Sequence, residues 1–205
     1  NSMAYRSTET EIQSKMDMSR FKLLKQANFE GGHKIEKVLD DDGDKLHYVI
    51  NETMMRVDLP EPLASGETFE FQIDWHYNIN NQPEVGGRGG YEFFPEDSNS
   101  VFEIAQWFPR LAVYDDYNGW QNKQFLYRGE FALEFGNYDV SITVPSDHIV
   151  RATGTLQNPK DVLTDQQRDR LERARQTTDK PVLIVSEEEA RENEKDRAKG
   201  TKTWN

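Results

Sequence analysis

The chain has 205 residues, with 37 acidic and 25 basic side chains, and its formal net charge is −12. Because such a surface repels phosphate backbones and anionic lipid, we expect neither nucleic acid nor a membrane surface as a partner. The sequence contains no cysteine, which excludes disulfides, thiol catalysis and cysteine-bound zinc. Its apolar runs are far shorter than the roughly 20 residues of a spanning helix, so no membrane insertion is expected.

Alternating apolar residues predict a fold made mainly of strands between residues 45 and 160. The clearest pattern covers 69–79, where six large apolar residues alternate with polar ones. No helix places residues i, i+2 and i+4 on one face, so this segment is predicted to be a half-buried strand. Further strands are predicted over 46–50, 55–59, 101–108, 125–135, 138–144 and 149–156. Short strands separated by turn signals at near-regular spacing favour an antiparallel β-sandwich or a curved open sheet.

Two capping-box patterns predict short peripheral helices after this region. Thr164 with Gln167, and Ser186 with Glu189, have the spacing at which a helix begins with reciprocal hydrogen bonds. The first helix is predicted to end near Gln176.

We expect one β-rich domain over residues 1–205. Residues 1–44 form a poorly defined amino-terminal part, 45–160 the main sheet, and 161–205 an appended helix, strand and polar helix. Further strands are predicted over 181–185 and at the alternating end of the chain, 201–204. This abrupt end, and the lack of strand signals in 1–25, lead us to expect a piece of a longer protein.

The sequence contains no metal motif of recognised spacing. Its four histidines are His33, His47, His76 and His148. None begins an H-E-x-x-H and no two lie three to five residues apart, so a helical zinc site is not expected. We expect all four at the surface.

Two other segments have partial motifs with structural explanations. The glycine-rich residues 86–90 lack the lysine and the helix that a phosphate loop needs, so they predict a mobile hairpin loop, whose backbone can approach another domain or a peptide closely. The acidic residues 40–44 resemble the start of a calcium loop, but Lys45 and Asn51 stand where Gly and Glu are required. A solvated turn is predicted there.

The most informative motifs lie between residues 106 and 159. They are QWFPRLAVYDD (106–116), NGW (118–120), GEF (129–131), GNYDVSITVP (136–145) and ATGTLQNP (152–159). In order and spacing this series resembles the amino-terminal domain of the M1 (gluzincin) family of zinc aminopeptidases, especially large bacterial members. The resemblance covers residues 43–204 and is strongest over 105–164.

The resemblance implies a saddle-shaped β domain that lies over a thermolysin-like catalytic domain and closes one side of its substrate cleft. In the family, H-E-x-x-H and a downstream Glu hold zinc, and a G-x-M-E-N strand binds the peptide; this sequence contains neither motif. We therefore expect a non-catalytic domain without a cofactor of its own, and expect zinc in the catalytic domain. The implied partners are that catalytic domain and the amino terminus of the substrate. The resemblance also favours the periplasm or cell envelope over the cytoplasm.

The resemblance also implies a substrate-binding residue. The family places a Gln or Glu about five residues before an Arg, and an acid about seven residues after it, and this Gln or Glu helps to bind the substrate's free amine. The matching series is Gln106, Arg110 and Asp116, with each spacing one residue short. Glu103 is the competitor, since a carboxylate matches an ammonium by charge.

These residues also have structural interpretations. On a regular strand, Glu103 and Gln106 would point to opposite faces, so only one could reach a cleft unless a bulge intervenes. Gln106 could instead be a polar strand residue bonded to its neighbours. Arg110 and Asp116 are expected to form an ion pair that ties the strand to the following turn.

Two alternative functions belong to different classes. A free-standing β-sandwich module for a peptide, sugar or protein is suggested by the aromatic residues Trp75, Tyr77, Trp107, Trp120 and Tyr127. A hydrolase using Asp115 and Asp116 as paired acids is disfavoured, because adjacent strand residues point to opposite faces.

Overall fold

The structure is a computed structural model that describes Met18 and residues 30–96, 98–124, 132–195 and 199–205. Its contacts group into two compact units. The amino-terminal unit holds the described residues up to Phe94 and those of Ser100–Phe135. The carboxy-terminal unit holds the described residues of Pro95–Asn99 and Gly136–Asn205. The single domain over 1–205 stays a prediction.

The described residues form more strand than helix, which confirms the prediction of a mainly β fold. The strands are β1 (Lys34–Asp40), β2 (His47–Asn51), β3 (Met54–Asp58), β4 (Phe71–His76), β5 (Gly90–Phe94), β6 (Asn99–Glu103), β7 (Tyr114–Asp115), β8 (Gly119–Trp120), β9 (Ile142–Pro145) and β10 (Thr201–Trp204). The helices are α1 (Gln82–Val85), α2 (Pro159–Val162), α3 (Asp165–Gln176) and α4 (Glu187–Asn193).

These strands pair into five two-stranded sheets: β1–β4, β2–β3, β5–β6, β7–β8 and β9–β10. The β1–β4, β2–β3, β7–β8 and β9–β10 pairs are antiparallel, as predicted. No sheet among the described strands has more than two members. The sandwich or saddle-shaped arrangement therefore stays a prediction.

Strand β1, which the alternating pattern does not predict, contains a bulge. Ile35 lies opposite Trp75 and Val38 lies opposite Ile73, and the register shifts between Ile35 and Lys37. The extra residue reverses the alternation, so Ile35 and Val38 share a face although they are three residues apart. This is why β1 lacks a period of two.

The strand predicted within 69–79 is confirmed as β4, and its alternation is confirmed in part. Ile73 and Trp75 are half-buried and Gln72 and His76 on the other face are exposed, whereas Phe71 is 45% exposed and Asp74 is half-buried. The strand is shorter than predicted because β1 pairs only with Phe71–His76. The strands predicted over 46–50 and 55–59 are confirmed as the β2–β3 hairpin.

Two predicted strands are wrong. Residues 149–156 and 181–185 are all described and form no strand. In the first segment, Gly154 has a φ of +106°, and apolar side chains pack on the core of the carboxy-terminal unit from irregular backbone. In the second, the Ile184 carbonyl accepts a hydrogen bond from Arg170 Nη1 at 3.1 Å rather than from a neighbouring strand.

Two further strand predictions differ in extent from the structure. The one over 138–144 begins only at Ile142, in β9. The one over 125–135 falls mostly outside the described residues. In its described part, Leu133 forms an isolated bridge with Ala112.

The core of the carboxy-terminal unit lies between the β9–β10 pair and the helices α2 and α3. Val162, Leu163 and Trp204 are buried together. Partly buried apolar side chains surround them: Ile142, Val144, Val150, Leu156 and Leu171. Thr201 and Thr203 point away from this core and are exposed, which confirms the alternation predicted for the last strand.

Both predicted capping boxes are confirmed. At the start of α3, Thr164 Oγ1 accepts from the backbone N–H of Gln167 at 3.3 Å, and the Thr164 N–H donates to Gln167 Oε1 at 3.0 Å. Ser186 and Glu189 make the same reciprocal bonds at the start of α4. Helix α3 ends at Gln176, as predicted.

Val38 tests the contribution of the bulged strand to stability. Its side chain is 2% exposed, so Val38→Ala should lower the free energy of unfolding by about 1.5–3 kcal/mol through lost burial and a cavity. Val101→Ala in β6, where the side chain is 62% exposed, should stay within about 0.5 kcal/mol of wild type. Denaturation followed by circular dichroism measures both, and equal losses would contradict the placement of Val38.

Candidate functional site

In the amino-terminal unit, five rings hold residues 103–110 against the β1–β4 sheet. We call these residues the 103–110 segment. This aromatic cluster consists of His33, Trp75, Tyr77, Trp107 and Phe108. Trp107 stacks on Trp75 with ring centroids 6.2 Å apart, and Phe108 meets Trp107 edge-on at 5.0 Å. Each such pair contributes about 0.5–1.5 kcal/mol beyond its buried area. The cluster therefore fixes the segment on the sheet.

His33 adds a hydrogen bond to this packing. Its Nε2–H donates to the Trp107 carbonyl oxygen at 3.0 Å, and its ring lies 5.6 Å from the Tyr77 ring. His33 and His148 are half-buried, so the prediction of surface histidines is wrong for these two. It is confirmed for His47 and His76. His33 is buried because it directly precedes β1, the strand that the alternating pattern does not reveal.

Gln106 has a left-handed backbone with a φ of +52°. Two other described residues with side chains share this conformation, and both lie in hairpin connections: Glu52 between β2 and β3, and Ser98 between β5 and β6. In such hairpin connections the left-handed conformation suits the turn. Gln106 instead follows the end of β6 and precedes the packed Trp107. Such a conformation costs of order 1–3 kcal/mol and is concentrated at functional sites.

The left-handed residue changes the predicted geometry of the segment. The strand predicted over 101–108 ends at Glu103, so the alternation argument does not decide between Glu103 and Gln106. Both side chains are exposed, and neither makes a hydrogen bond or ion pair with another described residue. The alternative in which Gln106 bonds to its strand neighbours therefore has no supporting hydrogen bond among the described residues.

Two glycines allow close backbone contacts at the start of β5: Gly89 with the end of β6, and Gly90 with Asn80. A Cβ atom at Gly89 would lie 2.8 Å from the Glu103 carbonyl oxygen, and one at Gly90 would lie 2.5 Å from the Asn80 carbonyl oxygen. The predicted hairpin over 86–90 is wrong, because this segment follows α1 rather than joining two strands. The close approach that its glycines allow is to the chain's own backbone.

Arg110 anchors the other end of the 103–110 segment. Its Nη2 donates to the Glu134 carbonyl oxygen at 3.2 Å, and its guanidinium lies 5.3 Å from the centre of the Phe108 ring. The predicted ion pair with Asp116 is wrong: the two side chains do not pair within the described ranges, and Asp116 is exposed.

The Asp115 carboxylate stabilises the β7–β8 turn. Its carboxylate accepts hydrogen bonds from the Asn118 N–H at 2.5 Å, Gln121 Nε2 at 2.5 Å and the Tyr117 N–H at 3.0 Å. These bonds, above all the one from the Asn118 backbone, lower the pKa of Asp115. A carboxylate held in this way is a poor proton donor, which argues against a paired-acid hydrolase with Asp116.

The charges around Gln106 come from its neighbours along the chain, not from the aromatic cluster. Burial raises the pKa of the Tyr77 hydroxyl, which keeps it neutral. Glu103 supplies a negative charge and Arg110 a positive one, and Arg110 is engaged with Glu134 and Phe108. Within the 103–110 segment, the groups that can accept from a ligand cation are the exposed Glu103 carboxylate and the side-chain carbonyl oxygen of Gln106.

Within the described ranges, no cluster of three or more His, Asp or Glu residues is arranged to bind a metal ion. No helix described for the chain has the length and apolar character needed to cross a bilayer.

The chain matches no protein-family model, no curated protein and no solved structure. The resemblance to the M1 family therefore remains a prediction based on the motifs of residues 106–159.

Of the aromatic residues that suggest a binding module, Trp75, Tyr77 and Trp107 are half-buried in the cluster. Trp120 is 54% exposed, and Tyr127 lies outside the described residues. The signal that could have found the cluster is the alternation of Trp75 and Tyr77 with polar residues, since it marks the face that a partner segment covers.

Gly89 tests how the 103–110 segment is positioned. Gly89→Ala places a methyl group against backbone and should cost about 1–3 kcal/mol of unfolding free energy, with a shift of the Trp107 indole N–H resonance. The matched control is Gly136→Ala, where the nearest atom to the new Cβ is a Tyr138 ring carbon at 3.9 Å. Thermal denaturation and NMR spectra that are equally unaffected in both variants would contradict the described contact.

Proposed function

We propose that the chain is the non-catalytic amino-terminal domain of an M1-type zinc metallopeptidase, where it covers the catalytic domain and helps to bind the free amino terminus of a peptide substrate. The observation that carries this proposal is Gln106. It lies in the motif of the resemblance, has a strained backbone, and exposes a carboxamide without a partner among the described residues.

The geometry suits recognition of an ammonium group. The side-chain carbonyl oxygen of Gln106 accepts a hydrogen bond from one of the three N–H groups of the substrate ammonium, and the exposed carboxylate of Glu103, three residues earlier in the chain, favours the positive charge. The aromatic cluster on one side, and the contact of Gly89 with the Glu103 carbonyl on the other, fix both ends of the short connection that contains Gln106. Less freedom is then lost on binding, which favours affinity.

Zinc chemistry belongs to the proposed partner domain. A metal bound there would polarise the scissile carbonyl and activate water. The described residues of this chain contain no group that could hold the ion. The role proposed for this chain is to bind and orient the substrate amine.

Exposed apolar residues on the β5–β6 pair support contact with a partner domain. Phe93, Phe94, Val101 and Phe102 are 38–62% exposed and lie on two paired strands, with Ile104 just beyond. Because neighbouring strand residues point to opposite faces, both faces of this pair carry exposed apolar side chains. Exposed apolar surface commonly marks interfaces, so we assign the β5–β6 pair to the contact with the catalytic domain.

A second candidate is a free-standing binding module, which the β7–β8 hairpin favours. Tyr114 and Trp120 face each other across the strands with ring centroids 5.2 Å apart, and Tyr117 at the turn is 92% exposed. Exposed aromatic side chains of this kind bind peptides and sugars through their ring faces. Binding that maps to this hairpin and leaves the 103–110 segment unaffected would favour this module.

Kinetics of the full-length peptidase test the role of Gln106. Gln106→Ala removes one hydrogen bond to a charged group, worth about 1.5–3 kcal/mol, so kcat/KM for peptides with a free amino terminus should fall roughly 10- to 150-fold. Alanine retains a Cβ, so the backbone strain is unchanged. Acetylated peptides should be insensitive, because their amine is already blocked.

Glu103→Ala is the matched control for this experiment. It removes an exposed side chain three residues away and should have the smaller effect on free peptides if Gln106 makes the direct hydrogen bond. Equal losses on free and acetylated peptides, or a larger loss at Glu103, would contradict the assignment.

The gene and the metal content test the proposed domain. The reading frame that encodes the chain should also encode H-E-x-x-H followed by a distant Glu, and the 205-residue chain alone should bind no stoichiometric zinc, since it lacks thiolates and helical His pairs. One tightly bound zinc per untagged chain, or a reading frame without the motif, would overturn the proposal.

A further inference from the structure

A surface cavity of about 220 Å³, open to solvent on one side, lies in the carboxy-terminal unit between the first turn of α3, helix α4 and strand β10. It is smaller than the roughly 300–1,000 Å³ of pockets for drug-sized ligands. The volume therefore suits a ligand smaller than a drug-sized molecule.

One wall of this cavity carries hydrogen-bond donors. Lys202 lies on the same face of β10 as the buried Trp204 and is half-buried, with its ammonium 6.0 Å from the centre of the Trp204 ring. Lys202 forms no ion pair with any described residue. A half-buried ammonium without a counter-ion favours a ligand that supplies a negative charge.

Gln167 adds a second donor. Its side chain is 3% exposed, and its Oε1 is occupied by the Thr164 N–H in the capping box. Its Nε2 donates to no residue in the described part of the chain. Because Nε2 is not itself a buried unpartnered atom and the residue lines the cavity, this donor is available for a ligand acceptor.

The opposite wall carries acceptors. Glu189 and Glu192 are three residues apart, on one face of α4, and both line the cavity. Glu189 Oε2 is bound by the Ser186 N–H at 2.7 Å and by Arg170, and the Ser186 bond, followed by that from Arg170, lowers the Glu189 pKa. Glu192 lies at the rim of the cavity, since its side chain is 73% exposed, and it pairs with Lys195. Oε1 of each carboxylate makes no hydrogen bond with a described residue.

Apolar contacts complete the cavity. Val162 is buried in the core of the unit and also lines the cavity, together with Ile149. A purely anionic ligand would meet two carboxylates, and a purely cationic ligand would leave Lys202 without a counter-ion. A small zwitterion with a short apolar side chain satisfies both walls.

We propose that this cavity binds a free α-amino acid with a small apolar side chain. Its carboxylate accepts hydrogen bonds from Lys202 and Gln167, its ammonium lies against Glu189 and Glu192, and its side chain packs on Val162 and Ile149. This site lies in a different unit from Gln106 and does not depend on the function proposed above.

Titration of the 205-residue chain with L-valine tests this site, with NMR resonances of α3, α4 and β10 as the readout. A ligand this small should bind saturably with a Kd of roughly millimolar. N-acetyl-L-valine lacks the ammonium and L-valinamide lacks the carboxylate, so each should bind at least about tenfold more weakly. Equal binding of either analogue, or no saturable shift with L-valine, would overturn the proposal.

Matched variants locate the binding. Lys202→Met retains the apolar stem and should weaken L-valine binding about tenfold or more, whereas Lys199→Met, at an exposed position outside the cavity, should not. Glu192→Gln should weaken binding, and Glu194→Gln should leave it unchanged. Unaltered amide spectra of the free variants show that each is folded. Binding that survives both Lys202→Met and Glu192→Gln would place the ligand elsewhere and overturn the site.

Discussion

The stacking of Trp107 on Trp75 is the contact on which the candidate site depends. It joins the 103–110 segment to the β1–β4 sheet, with centroids 6.2 Å apart, and His33 adds a hydrogen bond to the Trp107 carbonyl. At the other end, Gly89 fixes the Glu103 carbonyl by close packing. The chain must change direction between these two points, and the left-handed backbone of Gln106 does so. Ring packing offsets the cost of that conformation.

Residue patterns predicted the parts of the fold in which local and tertiary preferences agree. Strand β4, the β2–β3 hairpin and both capping boxes are confirmed. Strand β1 was missed because its bulge places Ile35 and Val38 on one face at an odd spacing. The segments 149–156 and 181–185 were wrongly assigned as strands, because an apolar run shows that side chains are buried but not that the backbone has a pairing partner.

At the candidate site too, residue types are evident from the sequence while the tertiary contacts are not. The residue types of the 103–110 segment were evident from sequence, yet its geometry depends on contacts with distant residues: His33 and Trp75 are 74 and 32 positions before Trp107 in the chain. No local pattern contains these contacts. The expected Arg110–Asp116 pair illustrates the error, since Arg110 instead reaches the carbonyl of Glu134. A short spacing in sequence does not make two side chains neighbours in space. For Arg110, the Glu134 carbonyl is the hydrogen-bond acceptor that the tertiary structure supplies.

The architecture of the amino-terminal unit links stability to the proposed role. Its strands form two-stranded pairs, which are marginal in water unless another surface covers an apolar face. The aromatic cluster covers the β1–β4 pair, but Val49 and Ile50 on β2 remain 44% and 52% exposed, and Phe93 and Phe102 on the β5–β6 pair are 49% and 44% exposed. A domain that packed on these faces would remove apolar area from water and supply the missing layer. Docking and folding would then be coupled, so the segment that presents Gln106 would be held most rigidly in the assembled protein.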